Sequence, residues 1–135
     1  MIVYTDKVND IDESRLNGFF VGWPNPPSTK KHKEILLKSN YAWVAIDEST
    51  DNVVGFITAI SDGVISAYIP LLEVLPTHKG QGIGTKLAEL MIETLKNIYM
   101  VDLLCDEDVM PFYDRLHMFR CKGMCLRNYE RQNAE

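Results

Sequence analysis

The chain has 135 residues, 46% of them hydrophobic and 24% charged, with a formal net charge of −5. This length suits one domain with its own core, predicted over residues 1–135, and the composition excludes disordered and fibrous proteins. The acidic balance argues against a nucleic-acid partner and favours a cationic small molecule. The apolar runs are too short to cross a bilayer, and no signal peptide is visible after Met1, so we expect a cytoplasmic protein with no membrane partner.

The first predicted elements are a strand at Ile2–Thr5 and a helix that follows it. Asp10 or Asp12 can accept hydrogen bonds from orphan backbone N–H groups at the start of this helix, which we expect to run to about Phe20.

A proline-rich break at residues 22–27 precedes the second predicted helix. Three prolines within four residues fix the backbone and remove N–H donors, so no regular structure is expected there. Ser28 is a good N-cap for a helix that runs to about Ser39. Its predicted buried stripe is Ile35, Leu36 and Leu37.

Three strands are predicted after Asn40, at Tyr41–Ile46, Val53–Ser61 and Val64–Leu75. They are rich in β-branched and aromatic residues. The turn chemistry between them, including the pair Asp62-Gly63, predicts an antiparallel meander.

The remaining elements begin with a helix from Gly82 to about Asn97. Apolar residues repeat along it at helical spacing. A short strand at Met100–Cys105, a helix from Asp108 to Leu116, and a strand or hairpin arm at Phe119–Tyr129 follow. This order predicts an α/β (or α+β) fold with helices on both faces of one sheet.

Three alternating glycines, Gly80, Gly82 and Gly84, lie between the third strand of the meander and the long helix. Glycines allow a tight turn whose N–H groups converge, and the helix N-terminus adds positive potential, so the turn is a predicted phosphate site. The cationic side chains expected at its rim are His78, Lys79 and Lys86.

Two other phosphate-binding motifs do not match this turn. A Walker loop needs four residues between its glycines and a following Lys-Ser/Thr pair, whereas only three separate Gly80 from Gly84, and Thr85-Lys86 is in reversed order. A dinucleotide fingerprint needs a third glycine three residues after the second, where this chain has Thr85 after Gly82.

The segment Lys79-Gly80-Gln81-Gly82-Ile83-Gly84 resembles the acyl-CoA signature of the GNAT family of N-acetyltransferases. The later Phe112-Tyr113-Asp114-Arg115-Leu116-His117-Met118-Phe119 resembles the family's Phe-Tyr-x-x-x-Gly-Phe segment, with His117 at the usual glycine and one additional residue before Phe119. The two matches cover roughly residues 53–119, and the predicted element order agrees with the family along the whole chain.

The resemblance implies a GNAT fold, in which a mixed, mostly antiparallel sheet is splayed between its fourth and fifth strands. It implies acetyl-CoA as the acyl donor, with backbone contacts on the fourth strand and around the glycines. The expected cofactor-binding residues are Leu72, Val74, Leu75, Lys79, Gly80, Gln81, Gly82, Ile83, Gly84, Thr85, Asp106 and Tyr113. The amide of Val74 or its neighbour is the expected oxyanion donor.

Two side chains are candidate catalysts. Tyr113 is the predicted general acid for the departing thiolate, because a phenol keeps its proton at neutral pH. Glu73 is a candidate base for the amine, although strand alternation can point it away from the cofactor side unless a bulge intervenes. Tyr68, on the other face of the strand by simple alternation, is a polar alternative, and water chains are another. Helix capping is the simplest role for the acidic run 106–108.

A primary amine on a small molecule is the expected acceptor, and we expect Trp23, Phe20 and Tyr68 to contact it. Phe19, Phe20 and Trp43 fit a pocket and ordinary core packing about equally. The alternative functions are a catalytically silent acyl-CoA-binding regulatory module and an acetyltransferase for protein or peptide amines. The expected assembly is a monomer or a homodimer, the latter paired through a strand edge near Cys121–Tyr129.

No metal site is expected. The three histidines are scattered singly, and the three cysteines, Cys105, Cys121 and Cys125, lack a zinc-site spacing. We expect these cysteines to be buried, inert thiols.

Overall fold

The computed structural model describes residues 1–135 and contains one five-stranded sheet in the order β1-β2-β3-β4-β5. The strands are β1 (Ile2–Thr5), β2 (Tyr41–Asp47), β3 (Asn52–Ser61), β4 (Ser66–Val74) and β5 (Met100–Asp102). The first four strands pair antiparallel, and β5 pairs parallel to β4. The predicted mixed, mostly antiparallel sheet is therefore confirmed.

Three helices accompany the sheet: α1 (Thr29–Lys38), α2 (Ile83–Thr94) and the short α3 (Met110–Asp114). Two hydrophobic clusters fill the molecule, one on each face of the sheet, as expected for a sheet that must bury both sides. The cluster beside α1 includes Leu16, Phe19, Phe20, Leu36, Val44 and Phe56. The cluster beside α2 includes Val54, Ile57, Ile69, Leu87, Met91 and Leu95. No helix combines the length and the apolar character that crossing a membrane requires.

Helix α1 begins where its cap predicts, because the Ser28 hydroxyl accepts a hydrogen bond from the Lys31 N–H at 3.1 Å. Its buried stripe differs from the prediction. Leu36 is buried, but Leu37 is 46% exposed, and His32 is the other buried residue of the helix. Positions 32 and 36 are one turn apart and share the inward face, whereas position 37 is rotated away from it.

The predicted helix between Asp10 and Phe20 is wrong. Two short 3₁₀ turns, Val8–Asp10 and Glu13–Arg15, replace it. Asp12 does cap the second turn, since its carboxylate accepts from the Ser14 N–H. The Lys33 ammonium donates to the carbonyls of residues 8, 9 and 11, so a side chain from α1 satisfies backbone groups that a helix would have used itself.

The predicted splay between β4 and β5 is confirmed. Pairing is limited to Ser66–Tyr68 of β4 and Met100–Asp102 of β5. Strand β5 ends at Asp102 rather than at Cys105, and β4 continues alone to Val74 with one edge open.

A strand or hairpin arm at Phe119–Tyr129 is not formed. Residues 119–127 have no regular structure, and a 3₁₀ turn occupies Tyr129–Arg131. Strand formation needs a hydrogen-bonded neighbour, and no strand of this chain pairs with the segment.

Candidate active site

The glycine turn has the backbone geometry that its sequence predicts. Gly80 has φ +79° and Gly82 has φ +80°, the left-handed region that L side chains rarely adopt. No atom lies within 4 Å of where a Cβ would stand on either residue. Both glycines are therefore required by backbone conformation, and the space above them is open.

Seven successive backbone N–H groups, from Lys79 to Thr85, donate to no acceptor within the chain. Gly82 is the N-cap of α2 and offers no side-chain cap, so the first turn of this helix is also unsatisfied. Unpaired amides at a helix N-terminus carry partial positive charge and attract anions. The donor set fits the pyrophosphate of an acyl-CoA.

His78 anchors this turn rather than standing free at its rim. Its Nε2 lies 2.8 Å from Oδ2 of Asp47 at the end of β2, and its Nδ1 lies 2.8 Å from the Thr77 hydroxyl. The hydrogen bond from His78, followed by those from Ser49, lowers the pKa of Asp47 to about 2. The sequence did not indicate a role for Asp47, because its partner His78 is 31 positions away.

The open edge of β4 presents backbone groups beside the turn. The Leu75 N–H donates to the Val54 carbonyl of β3 at 2.8 Å. Hydrogen-bonding direction alternates along an antiparallel strand, so the N–H and C=O groups of Val74 and Leu72 point to the opposite, open edge. These are the two β4 positions expected to meet a pantetheine arm.

Helix α2 lies close to the sheet because β3 carries a glycine beneath it. A Cβ on Gly55 would lie 3.1 Å from Leu87 and 3.2 Å from Ile83, tighter than ordinary contact. The residue was not singled out in the sequence, where an isolated glycine in a strand signals only close approach of some neighbour. Gly84 is different, since a Cβ there would make ordinary contacts at 3.6–3.8 Å with Val74 and Phe112.

Tyr113 lies on α3, which packs beside the first turn of α2 through that Phe112 contact. Its ring is half-buried and meets the Phe112 ring edge-on at 4.9 Å. Burial, with a smaller contribution from Cys105, raises the pKa of Tyr113 to about 12. The hydroxyl forms no hydrogen bond with the protein and is protonated at neutral pH.

The turn after Tyr113 keeps its geometry although a glycine is missing. The Met118 N–H donates to the Tyr113 carbonyl and the His117 N–H to the Asp114 carbonyl, which is the Schellman pattern of a helix end. His117 has φ +65° and so adopts the left-handed conformation at the position where the related motif has glycine.

Glu73 holds the loop that leads into the proline-rich segment. Its two carboxylate oxygens accept from the N–H groups of Phe20 at 2.8 Å and Val21 at 3.2 Å. Phe20 has φ +61°, a conformation that this double anchor helps to hold. The Glu73 carboxylate, which is the candidate base, therefore also holds the backbone of a loop 53 positions away in sequence.

Tyr68 lies on the same face of the sheet as Glu73, not on the other one. The register of β3 and β4 shifts by one residue between Thr58 and Ile60, which marks a bulge. Simple alternation along the strand predicts opposite faces for Tyr68 and Glu73. The extra residue at the bulge reverses that alternation and brings both side chains to one face.

The aromatic residues that were expected to contact the acceptor amine differ in exposure. Trp23 is 37% exposed, and its ring stacks at a tilt on Phe20, with centroids 4.9 Å apart. Phe20 is only 4% exposed and belongs to the core beside α1. Trp43 lies on the α2 side, where its Nε1 donates to Thr94.

A buried histidine without hydrogen-bond partners packs against Phe20. His32 is 1% exposed, and its ring centroid lies 4.3 Å from that of Phe56 and 4.9 Å from that of Phe20. Neither ring nitrogen has a hydrogen-bond partner. Burial lowers the pKa of His32 to about 4, so the ring is neutral at physiological pH.

The acidic run after β5 and the cysteines also differ from expectation. Asp106 occupies an N-cap position, but its side chain makes no capping hydrogen bond. Cys121 and Cys125 are exposed, and Cys105 is partly buried, so the expectation of three buried thiols is wrong. Burial, followed by the charge of Asp106, raises the pKa of Cys105.

The splayed β4 edge lies beside the free amides at the start of α2. The sequence profile of the Acetyltransferase (GNAT) family matches residues 8–118. The chain belongs to the GNAT acetyltransferase family. The resemblance drawn from the sequence is confirmed.

Relatives with known names or structures agree with this assignment. A protein of Deinococcus radiodurans R1, provisionally named an acetyltransferase, has a crystal structure that superposes with a TM-score of 0.94 at 39% identity, covering 98% of this chain and 92% of that one. N-alpha-acetyltransferase 30 of Schizosaccharomyces pombe is 29% identical over 93 residues, 62% of this chain and 61% of its own. Histone acetyltransferase TAP1 of Glycine max is 31% identical over 108 residues, 71% of this chain and 46% of its own. The chain thus spans only about half to three fifths of these two curated relatives.

Proposed function

We propose that this protein transfers the acetyl group of acetyl-CoA to a primary amine on a small molecule by direct attack. The observation that carries the proposal is the run of free amides from Lys79 to Thr85 beside the open edge of β4. The first feature supplies a phosphate cradle, and the second supplies unpaired backbone groups for an extended arm.

When bound, acetyl-CoA supplies an activated thioester carbonyl. The Val74 N–H, which points to the open edge of β4, donates to the carbonyl oxygen as negative charge develops there. The new C–N bond forms as the C–S bond breaks, so the amine loses a proton and the departing sulfur gains one. Tyr113 donates that proton, because a phenol with a raised pKa is fully protonated at pH 7.

Glu73 has two roles in this proposal. It holds the backbone of Phe20 and Val21 and so fixes one wall of the acceptor site. Each carboxylate oxygen retains a further lone pair, which can accept the amine proton directly or through one water. Trp23, packed on Phe20, covers the acceptor on its apolar side.

A protein or peptide amine is the second candidate acceptor. The names of the two curated relatives favour it, since one is an N-alpha-acetyltransferase and the other a histone acetyltransferase. The net charge of −5 suits a cationic acceptor of either kind. A silent acyl-CoA-binding module is disfavoured, because the Tyr113 hydroxyl is present and carries its proton.

The test is a thiol-release assay with acetyl-CoA and a panel of polyamines, amino sugars and peptides with free N-termini. We expect Tyr113→Phe to lower kcat by roughly ten- to a hundredfold, with the Kd for acetyl-CoA unchanged, because only the proton donor is removed. Tyr99→Phe is the matched control, since Tyr99 is 84% exposed. An unchanged kcat in Tyr113→Phe would remove this residue from the mechanism. Turnover of peptides without turnover of small amines would overturn the small-molecule assignment.

A further inference from the structure

His32 is a buried polar side chain that the proposed reaction does not use. It lies on the inward face of α1, and neither of its ring nitrogens has a hydrogen-bond partner. Most buried polar atoms in proteins are hydrogen-bonded, and leaving both nitrogens of a histidine unsatisfied costs stability. A leucine would fill the same place in the core without that cost. The imidazole therefore indicates a hydrogen-bond partner that comes from outside the chain.

His32 lies close to the candidate base, because Phe20 contacts both residues. The Phe20 N–H donates to the Glu73 carboxylate at 2.8 Å, and the Phe20 ring centroid lies 4.9 Å from that of His32. A second connection runs through Phe56, which pairs with Glu73 in the register of β3 and β4 and whose ring meets the imidazole edge-on at 4.3 Å. Residues paired across two strands share a face of the sheet. Glu73 and His32 are thus on the same side of the sheet, one residue apart.

Phe20 covers His32 in a conformation that L residues rarely adopt. Its φ of +61° is in the left-handed region, and the Glu73 carboxylate accepts from the N–H groups of Phe20 and Val21. Such strain persists only where the surroundings hold it, and it is concentrated at functional sites. The partly exposed ring of Trp23 stacks on the Phe20 ring. Two stacked aromatic rings therefore cover the imidazole on the side of Glu73.

The surroundings of the imidazole favour a neutral polar group as its partner. Burial lowers the pKa of His32 to about 4, so the ring is neutral at pH 7 and offers one donor and one acceptor nitrogen. The rings of Phe19, Phe20 and Phe56 around it supply no counter-charge. A carboxylate or phosphate would lose its hydration there without gaining a cation, whereas a hydroxyl is neutral and can both donate and accept.

We propose that His32 is a specificity-determining residue that binds a hydroxyl group of the acceptor, and that the acceptor is therefore an amino alcohol. This rests on the proposed acetyl transfer to a small amine. The rings of Phe20 and Trp23 turn outward about their side-chain torsions, while Glu73 keeps the Phe20 backbone in place. The acceptor hydroxyl then takes the place of the Phe20 ring beside His32, and the amine lies at Glu73.

The test compares steady-state kinetics for ethanolamine, propanolamine and butanolamine with those for ethylamine, propylamine and butylamine, at saturating acetyl-CoA. The two acceptors of each pair differ only in the hydroxyl. Rates are expressed per concentration of neutral amine, because a hydroxyl makes the amine itself less basic. We expect the wild type to favour the amino alcohol of the best-fitting length by about tenfold or more in kcat/KM, since a site that hydrogen-bonds a hydroxyl discriminates against the analogue that lacks it.

His32→Leu should lower kcat/KM for the amino alcohols to the level of the matched alkylamines and leave the alkylamines unchanged. General damage to the core would lower both series and would not produce this split. Thr58→Val is the matched control, because it also removes a buried, unpartnered polar atom from the core. It should keep the wild-type preference for the hydroxyl.

Equal kcat/KM values for amino alcohols and alkylamines in the wild type would overturn the role of His32 and leave acetyl transfer to small amines intact. Equal losses for both series in His32→Leu would do the same. Absence of turnover with every member of both series would instead overturn the proposed function, and the role of His32 with it.

Discussion

The proposed cofactor side and the proposed acceptor side of this molecule are built in different ways. On the cofactor side, backbone amides within one short stretch, Lys79 to Thr85, form the site, and side chains serve mainly to hold the turn. On the acceptor side, side chains far apart in sequence form the site, as Glu73 clamps the backbone of Phe20. The first region depends on local backbone conformation, whereas the second depends on contacts between residues far apart in sequence.

The largest expected effect comes from forcing side chains onto the glycine turn. Gly80→Val/Gly82→Val should weaken acetyl-CoA binding by roughly 30- to 700-fold, since each left-handed L residue costs about 1–2 kcal/mol. Isothermal titration calorimetry measures the loss. Gly84→Ala is the control and should bind nearly normally, because its Cβ meets only ordinary contacts. An equal loss of acetyl-CoA affinity in Gly84→Ala and in the double variant would mean that steric crowding, and not backbone conformation, makes the glycines necessary.

Glu73→Gln addresses the acceptor side with a smaller effect. Loss of a charge-assisted hydrogen bond to the loop backbone should lower kcat/KM for the amine by roughly tenfold, with acetyl-CoA affinity unchanged. Glu89→Gln, at an exposed position on α2, is the control. A parallel loss of acetyl-CoA affinity in Glu73→Gln would show that the two sides are not separable.

His32 makes the acceptor side sensitive to acid. Its folded pKa of about 4 lies below the ordinary value of 6.5, so the unfolded chain takes up a proton that the folded chain refuses. The contribution to stability is complete above pH 6.5 and is lost as pH falls towards 4. The free energy of unfolding should drop by about 1.4 kcal/mol between pH 7.5 and 5.5 from this group.

His32→Leu should remove this part of the pH dependence and be no less stable at pH 7.5, because it deletes two unpartnered nitrogens. Urea unfolding of both proteins at the two pH values measures it. An identical pH dependence in wild type and variant would contradict a buried, neutral His32.

The smallest expected effect is at the end of α3. His117→Gly should raise the free energy of unfolding by about 0.5–1 kcal/mol, because glycine adopts φ +65° without strain. Thermal unfolding measures the gain. A loss of stability would mean that the His117 side chain contributes contacts that outweigh its backbone strain.

The sequence predicts the glycine turn and helix α2 well because their determinants are contiguous. Gly80, Gly82 and the apolar repeat of α2 lie within one stretch, and their spacing alone defines a turn and a helix. The meander was equally predictable from β-branched runs and an Asp-Gly turn, and its splay from β5 followed from the family resemblance.

The N-terminal region and the surroundings of Glu73 were less predictable, because their contacts are long-range. Lys33 donates to carbonyls more than twenty positions away, in the region where 3₁₀ turns replace the expected N-terminal helix. A one-residue bulge in the pairing of β3 with β4 moves Tyr68 to the face of Glu73. The unpaired segment 119–127 has strand-like residues but no neighbouring strand in its own chain, which no local pattern reveals.

The most direct test of the central claim is a thermal shift of the wild-type protein with acetyl-CoA, free CoA, NAD and ATP in parallel. A ligand at about a hundred times its Kd adds roughly 2.7 kcal/mol of stability, so specific binding is readily detected. The structure predicts a clear rise in Tm with acetyl-CoA and CoA, and none with NAD or ATP at the same concentration. No shift with either CoA species, or a larger shift with NAD or ATP, would contradict the acyl-CoA site at the glycine turn.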